Sequence, residues 1–389
     1  MSKNIEIFLF IDALGWEIVE THGFLRELLP ERREIAMQFG YSCSAIPTLL
    51  SGRQPQEHGH LSLFRFAPEE SPFSALAALD KWLKPRSFWE RGRVRNWLSK
   101  AVKRGYGFTG YFQLYQMPLS KMPLMDYAEK SDLFIPGGMA PWENLADVLA
   151  SSGLNHHISD WHLGDTRNLE AGRKAIADGC EFLFIYTAEL DGLLHDHLRQ
   201  PEIIRNKLAW YEQEVHKLLK TAHEHGDSVC LTVVSDHGMT PLAYTVDIRS
   251  AVEATPLRFG VDYGACYDST MFRVTFLDPA AREVIFAALA PFADHGHWLS
   301  EEEERKYGIY RQDRHFGDAI FLVNPGIQVV PSDMARKPLN GMHGFAPEDS
   351  HSKAALLSTA PVPEYVTRLV DVFHLMRERI DAMKAGKAE

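Results

Sequence analysis

Short apolar runs alternate with longer stretches of helical periodicity along much of the chain. Ile5–Ile11 is apolar and β-prone, the pattern of a strand buried on both faces. Glu181–Tyr186 and the β-branched run Ser228–Ser235 read the same way. Between and around them, Trp16–Leu29, Trp142–Ser151, Ala171–Ala177 and Ile203–His223 carry amphipathic helical spacing. Tyr41–Pro47 reads as a turn of small residues, and Thr48–Ser51 as a helical turn closed by Gly52. Strands separated by helices predict βαβ units, and so an α/β fold with a mainly parallel sheet sandwiched by helices.

Two stretches break this texture. From 61 to 136, aromatic and basic residues are mixed, as in Lys81-Trp82-Leu83-Lys84 and Arg93-Val94-Arg95. This reads as a mostly helical cap, with Trp82, Trp89 and Trp97 filling its core and Arg and Lys facing water. The competing reading makes the basic residues a phosphate or nucleotide receptor, with aromatics stacked on a base. From 242 to 317 an α+β cap is expected, with a strand at Thr270–Phe276 and helices at Ala280–Ala290 and Ser300–Tyr307. Asp268-Ser269-Thr270 there is a turn or a pocket edge. Ala319–Val323 and Ile327–Val330 resume strand character, and Pro363–Lys384 is a terminal amphipathic helix. There is no repeat or low-complexity linker. Residues 1–389 therefore read as one domain interrupted by two caps.

Composition narrows the partners. The 389 residues hold 41 Lys and Arg against 52 Asp and Glu, a formal charge of −11. An acidic chain without a basic tract is a poor ligand for polymeric nucleic acid or an anionic membrane. A small anionic substrate is compatible, because a local site can reverse the field. The four cysteines form no CxxC pair, and Ile5 begins a strand with no signal-like segment before it. No apolar run approaches the roughly 18–20 residues of a membrane span. The expectation is a soluble cytoplasmic protein whose oligomeric state the sequence leaves open.

In open α/β sheets, ligands collect beyond the carboxyl ends of the strands. The first strand ends at Asp12, the second leads into Asp191 and His195, and the third ends at Asp236-His237-Gly238. A later Gly-flanked loop holds His343. Singly, each has an ordinary explanation as a cap, a helix-surface pair or a loop histidine. Together, carboxylates and imidazoles suit zinc or a similar divalent ion, and six ligands suit two ions better than one.

These motifs, together with Ile46-Pro47-Thr48-Leu49-Leu50-Ser51-Gly52, resemble the alkaline phosphatase superfamily, and most closely its type I phosphodiesterase/nucleotide pyrophosphatase branch. The resemblance implies an alkaline phosphatase-like core and a metal-dependent phosphate-ester hydrolase, with a small phosphate ester as substrate. It implies one ion, Zn²⁺ or Mn²⁺, on Asp191, His195 and His343, and another on Asp12, Asp236 and His237. It places the nucleophile nine residues before Ser51, at Ser42, which would also bind the second ion and form a phosphoseryl intermediate; Ser44 stays open as an alternative. The sulfatase branch is not matched, because Cys43 is followed by Ala45 and Pro47 where that branch has Pro and Arg. A phosphomonoesterase or phosphonate hydrolase, a mutase and a non-catalytic metal-binding homologue are the rival readings. His197 is expected to point away from the ion, and His58 and His60 to be structural. His351 is expected near the site.

Overall fold

The computed structural model describes residues 3–79, 89 and 91–388, so Lys81, Trp82, Lys84 and Phe88 of the first cap lie outside the described residues. Its centre is a six-stranded sheet in the order Glu31–Ile35, Ala354–Ser358, Ser228–Val234, Asn4–Ile11, Phe182–Thr187, His156–Ile158. The last four strands are mutually parallel, whereas Ala354–Ser358 runs antiparallel to both of its neighbours. Three of the six strands (Glu31–Ile35, His156–Ile158 and Ala354–Ser358) were not expected from sequence. Two of them are short or edge strands with few apolar residues, and Ala354–Ser358 lacks the β-branched signature.

Alternation within the first strand shows why the sheet is sandwiched. Ile5, Ile7, Leu9 and Ile11 pack on one face, with Leu169, Leu208, Tyr211 and Leu218 from helices Asp165–Ala177 and Pro201–His225. Phe8 and Phe10 pack on the other, against Leu49, Leu149 and Phe373 from helices Ser42–Ser51, Leu145–Ser152 and Leu369–Ala388. Period-two side chains on a central strand must find cover on both faces, and helices supply it.

Several boundaries differ from expectation. The helix expected at Trp16–Leu29 stops at His22, where Gly23 adopts the left-handed conformation of a C-cap. The expected turn at Tyr41–Pro47 is instead the first half of a continuous helix, Ser42–Ser51, running through Pro47. Interior proline usually argues against helix, which is why the local pattern misleads.

The first insertion is not mostly helical. Among its described residues one long helix, Gly92–Tyr106, accompanies 3₁₀ turns and a ribbon pairing Phe64–Phe66 with Met125–Tyr127. Its helix also inverts the expected faces. Trp97 is 64% exposed, whereas Arg95 is buried and donates to the carbonyls of Leu114 and Met117 at 3.2 and 2.5 Å. The second insertion is α+β, built on an antiparallel sheet in the order Tyr263–Tyr267, Met271–Phe276, Ala319–Val323, Gly296–Trp298. Ala319–Val323 therefore belongs to this cap sheet and lies beyond the expected boundary at 317. The insertions share one apolar cluster, including Phe64, Phe112, Tyr127, Tyr263 and Phe272. Ser62 Oγ donates to Asp268 at 2.6 Å, and Arg273, buried, bonds both Asp268 and the Phe64 carbonyl at 2.7 and 2.5 Å.

Candidate active site

Register brings the sequence-predicted ligands together. Ile11 is paired with Thr187, and Phe10 with Val234, so Asp12, the Glu189–His197 helix and Asp236 emerge at one end of the sheet. Asp191 and His195, one helical turn apart, face the same point, with His195 Nε2 3.4 Å from Asp191 Oδ1. The fourth contributor arrives by a small ribbon: Met342 pairs with Thr240, which lays His343 against His237 with ring centroids 3.7 Å apart. His343 Nε2 is 3.6 Å from Asp191 Oδ1. His237 Nε2 lies 3.2 Å from Asp236 Oδ2 and 3.7 Å from Asp12 Oδ1.

Close backbone approach makes this possible. A Cβ on Gly15 would meet Gly238 Cα at 2.5 Å, so the loops after two neighbouring strands touch where only glycine fits. Ala13, just past Asp12, holds a φ of 61°, and its N–H donates to Asp236 Oδ1 at 3.2 Å. A non-glycine residue in the left-handed region is strained, and the Asp236 bond helps to hold it there.

Asp12 Oδ1, Asp191 Oδ1 and Asp236 Oδ2 are buried oxygens without a hydrogen-bond partner among the described residues. His195 Nδ1 lies 2.9 Å from the Gly341 carbonyl, and His237 Nδ1 2.9 Å from the Gly238 carbonyl. That arrangement leaves each Nε2 lone pair free toward the carboxylates. Ligand atoms gather within 4.8 Å as two sets: Asp191, His195 and His343, and Asp12, Asp191 and His237. Asp191 thus reaches both sets, and Asp236 stands beside the second with one oxygen held by backbone N–H groups. Oxygen and imidazole donors in this number fit divalent first-row ions.

Burial, followed by the charges of Asp236 and Asp191, pushes Asp12 well above the ordinary carboxyl range. Burial also raises Asp236, against the opposing pull of His237 and the Ala13 N–H. For Asp191, burial works upward, but the three imidazoles of His195, His343 and His237 hold the group below its usual range. Crowded carboxylates of this type are relieved by a bound cation.

Ser42 is the first residue of its helix. Its Oγ is 3.2 Å from His237 Nε2, whereas Ser44 is fully buried and donates to the Phe39 carbonyl at 2.8 Å. The preceding residue, Tyr41, ties this turn to the second cap. Its hydroxyl accepts from Thr270 N at 3.0 Å, and Thr270 Oγ1 bonds the Gly344 carbonyl next to His343 at 2.8 Å. Asp268-Ser269-Thr270 is thus both a pocket edge and a latch, since Ser269 lines the cavity.

Above the ligands lies a cavity of about 550 Å³ that includes Asp12, Ser42, Asp191, His195 and His343 in its lining. Its apolar walls come from Ile46, Leu63, Leu133, Phe134, Met334 and Leu339, and its aromatic ones from Tyr111, Tyr115, Trp161 and Tyr186. No Lys or Arg is among the described lining residues. Glu129, 8% exposed, is part of the wall, and burial pushes its carboxyl up to about 8.

Sequence reading missed Glu129, Asp165 and the wall residues Phe134, Trp161 and Tyr186, whereas Tyr111 and Tyr115 fall in the first cap, whose aromatics the competing reading set against a ligand. Asp165 is buried and accepts from Ala188 N at 2.9 Å and Glu189 N at 3.3 Å, anchoring the helix that carries Asp191 and His195. Its spacing to Asp191 carries no local signal. His351 does not join the site: it pairs with Glu17 and is absent from the cavity lining. His197 contacts Gln200 at 3.1 Å and likewise lies off the cavity. His58 is bound to Thr48 Oγ1 at 3.0 Å and accepts from His60 N at 3.1 Å, a structural role.

The type I phosphodiesterase / nucleotide pyrophosphatase family model matches residues 7–346. Among solved structures, murine ectonucleotide pyrophosphatase/phosphodiesterase 5 superposes with a TM-score of 0.65 at 13% identity, covering 97% of this chain and 95% of that one. An inactive variant of the same murine protein, in complex with AMP, gives 0.66 at 13% identity, over 98% and 95%. The human counterpart gives 0.65 at 11% identity, over 97% and 95%. At such identities the likeness is one of fold. No curated protein sequence matches the chain.

Proposed function

The chain belongs to the type I phosphodiesterase/nucleotide pyrophosphatase family of phosphoric ester hydrolases, and on that premise we propose a phosphodiesterase that acts through Ser42 at two divalent ions, Zn²⁺ or Mn²⁺. The observation that carries the diester preference is the cavity wall. A monoester brings two charges on its terminal oxygens and calls for extra cations, yet no Lys or Arg lines this cavity among the described residues. A diester brings one charge and a second organic group, for which the apolar and aromatic walls provide cover.

Asp191, His195 and His343 would hold one ion, and Asp12, Asp236 and His237 the other, with Asp191 close enough to serve both. Bound there, such ions lower the pKa of a hydroxyl or water and offset charge on the phosphoryl oxygens. The chain supplies the rest. Ser42 presents Oγ at a helix N-terminus, where first-turn N–H groups and the helix dipole favour an anionic phosphoryl group. Its Oγ attacks phosphorus in line; a Ser42 O–P bond forms as the P–O bond to one alcohol breaks, and that alcohol leaves with the proton. Water then attacks the phosphoseryl group, Ser42 regains its hydroxyl, and a phosphate monoester departs. Residues 1–389 act in this reading as one domain, with the caps selecting the organic groups. A cytoplasmic setting belongs to the same proposal and rests on four unpaired cysteines; cell fractionation tests it.

Hydrolysis of bis-p-nitrophenyl phosphate and of p-nitrophenyl phosphate, with and without chelator, tests the function. Diester turnover should exceed monoester turnover and vanish with chelator. Chelator-resistant turnover would remove the metal mechanism, and a monoester preference would remove the diester reading.

A further inference from the structure

The aromatic wall surrounds a buried carboxyl group that the hydrolysis of a simple diester does not use. Glu129 is nine-tenths buried, lines the cavity, and makes no side-chain hydrogen bond or ion pair to any described residue. Nothing but burial moves its carboxyl from the ordinary range, and no Lys or Arg pairs with it among the described residues. The adjacent Lys130 is turned away and pairs with Asp126, which also takes Arg65 at 2.9 Å. Lys103 lies over Trp161, 4.9 Å from the ring centroid, but does not line the cavity.

Tyr111, Tyr115, Phe134 and Tyr186 bring four further rings to the same cavity. They are held in place. The Tyr111 and Tyr115 hydroxyls bond each other at 2.7 Å, and Tyr186 stacks on Phe10 and meets Phe134 edge-on, each at 5.2 Å. A buried carboxylate without a partner is costly. Aromatic faces carry a negative quadrupole that attracts organic cations, above all those whose charge is spread over methyl groups. Carboxylate and rings in one cavity therefore ask for the same ligand.

We propose that Glu129, with Tyr111, Tyr115, Phe134 and Tyr186, binds an ammonium or quaternary ammonium group carried by one alcohol of the phosphodiester. This rests on the phosphodiesterase reading above and names the substrate class of that site. An additional phosphate in that position, as in a pyrophosphate, would face Glu129 without a Lys or Arg in the lining.

The test uses a matched pair with one leaving group: p-nitrophenyl 2-(trimethylammonio)ethyl phosphate and its uncharged isostere, p-nitrophenyl 3,3-dimethylbutyl phosphate. The wild-type kcat/KM should favour the cationic ester by about tenfold or more, and Glu129→Gln should bring the ratio near one. Equal rates on the pair, or faster hydrolysis of p-nitrophenyl thymidine 5′-phosphate than of the cationic ester, would overturn the inference. Loss of all diester turnover, bis-p-nitrophenyl phosphate included, would instead remove the phosphodiesterase reading. Calorimetry is independent of turnover: 2-(trimethylammonio)ethanol should bind about tenfold more tightly than 3,3-dimethylbutanol, and Glu129→Gln should abolish the difference while keeping the wild-type circular dichroism spectrum. Equal binding of the two alcohols by the wild type would sink the cation site even if catalysis were lost.

Discussion

Asp12 and Glu129 are both buried carboxylates of one cavity, and burial is the largest force raising each. Their neighbours differ. Asp12 stands at the end of a central parallel strand among two other carboxylates and an imidazole, with its position set by the register of the sheet. Glu129 stands on the loop after a short cap ribbon, among aromatic rings. The first environment collects ligands for a divalent ion; the second offers one carboxyl group and a π-lined wall. The floor of the cavity is thus suited to hold a phosphoryl group, and the wall to sort what is attached to it.

The largest effect that could break this division lies on the floor. Ser42→Ala should lower kcat on bis-p-nitrophenyl phosphate by on the order of a thousandfold or more, because the attacking atom is gone. Ser44→Ala should retain turnover and show its cost in thermal unfolding, since Ser44 only bonds Phe39 within the core. Stopped-flow or steady-state rates for the two variants decide it. Full activity in the Ser42 variant would transfer the attack to water or to another hydroxyl.

A smaller loss is expected one layer below the floor. Asp165 accepts the first N–H groups of the Asp191 helix and touches Tyr211 and Lys207. Asp165→Ala should weaken metal binding roughly 10- to 100-fold, as loss of an outer hydrogen-bond partner does. Asp165→Asn keeps one acceptor oxygen and should recover part of it. Metal content after dialysis against graded chelator is the readout, because loss of fold alone would not be rescued by Asn.

How far these parts were legible in sequence follows from the same contrast. Asp12, Asp191, Asp236 and His237 follow apolar runs whose strand character is strong, so their meeting could be anticipated from topology. His343 was marked only by its Gly-flanked loop, because a two-residue ribbon to Thr240, not a strong strand, is what delivers it. Glu129, Tyr186 and Asp165 gave no signal. Their roles arise from long-range packing, mostly of loops, and no local periodicity encodes where a loop side chain points. Pro47 misled for the opposite reason: a strong local rule was overridden by burial of the Ser42–Ser51 helix on the sheet.

Near the start of the strand that delivers Asp12 lies another buried carboxylate, Glu6, which has neither metal ligands nor a ring-lined cavity beside it. Burial, against the weaker pull of Arg379 and a bond from Cys230, raises it from 4.5 to about 7. The folded chain thus holds this proton more tightly than the unfolded chain. The stability it contributes is complete below about pH 4.5 and is lost as pH rises through about 7. Glu6→Gln should unfold like wild type at pH 5 and be more stable at pH 8, by up to about 3 kcal/mol. Urea titrations at both pH values check the sign; a variant less stable at pH 8 would contradict it.

The smallest effect separates surface from structure within the wall's own support. Composition suggested that the cap's tryptophans are inside and its arginines outside, and helix Gly92–Tyr106 does the reverse for Trp97 and Arg95. Arg95 satisfies the carbonyls of Leu114, Tyr115 and Met117, on the segment that carries Tyr115 into the cavity. Charge-assisted bonds to buried carbonyls are worth more than one exposed ring. Arg95→Ala should therefore cost about 2–4 kcal/mol and disturb the wall, raising KM for bulky diesters more than it lowers kcat. Trp97→Ala should change stability by no more than about 0.5 kcal/mol and leave both constants in place, because its ring faces solvent. If the tryptophan variant proved the more damaging of the two, the cap would be held together by the face that this structure exposes, and the positions of Tyr111 and Tyr115 would have to be drawn again.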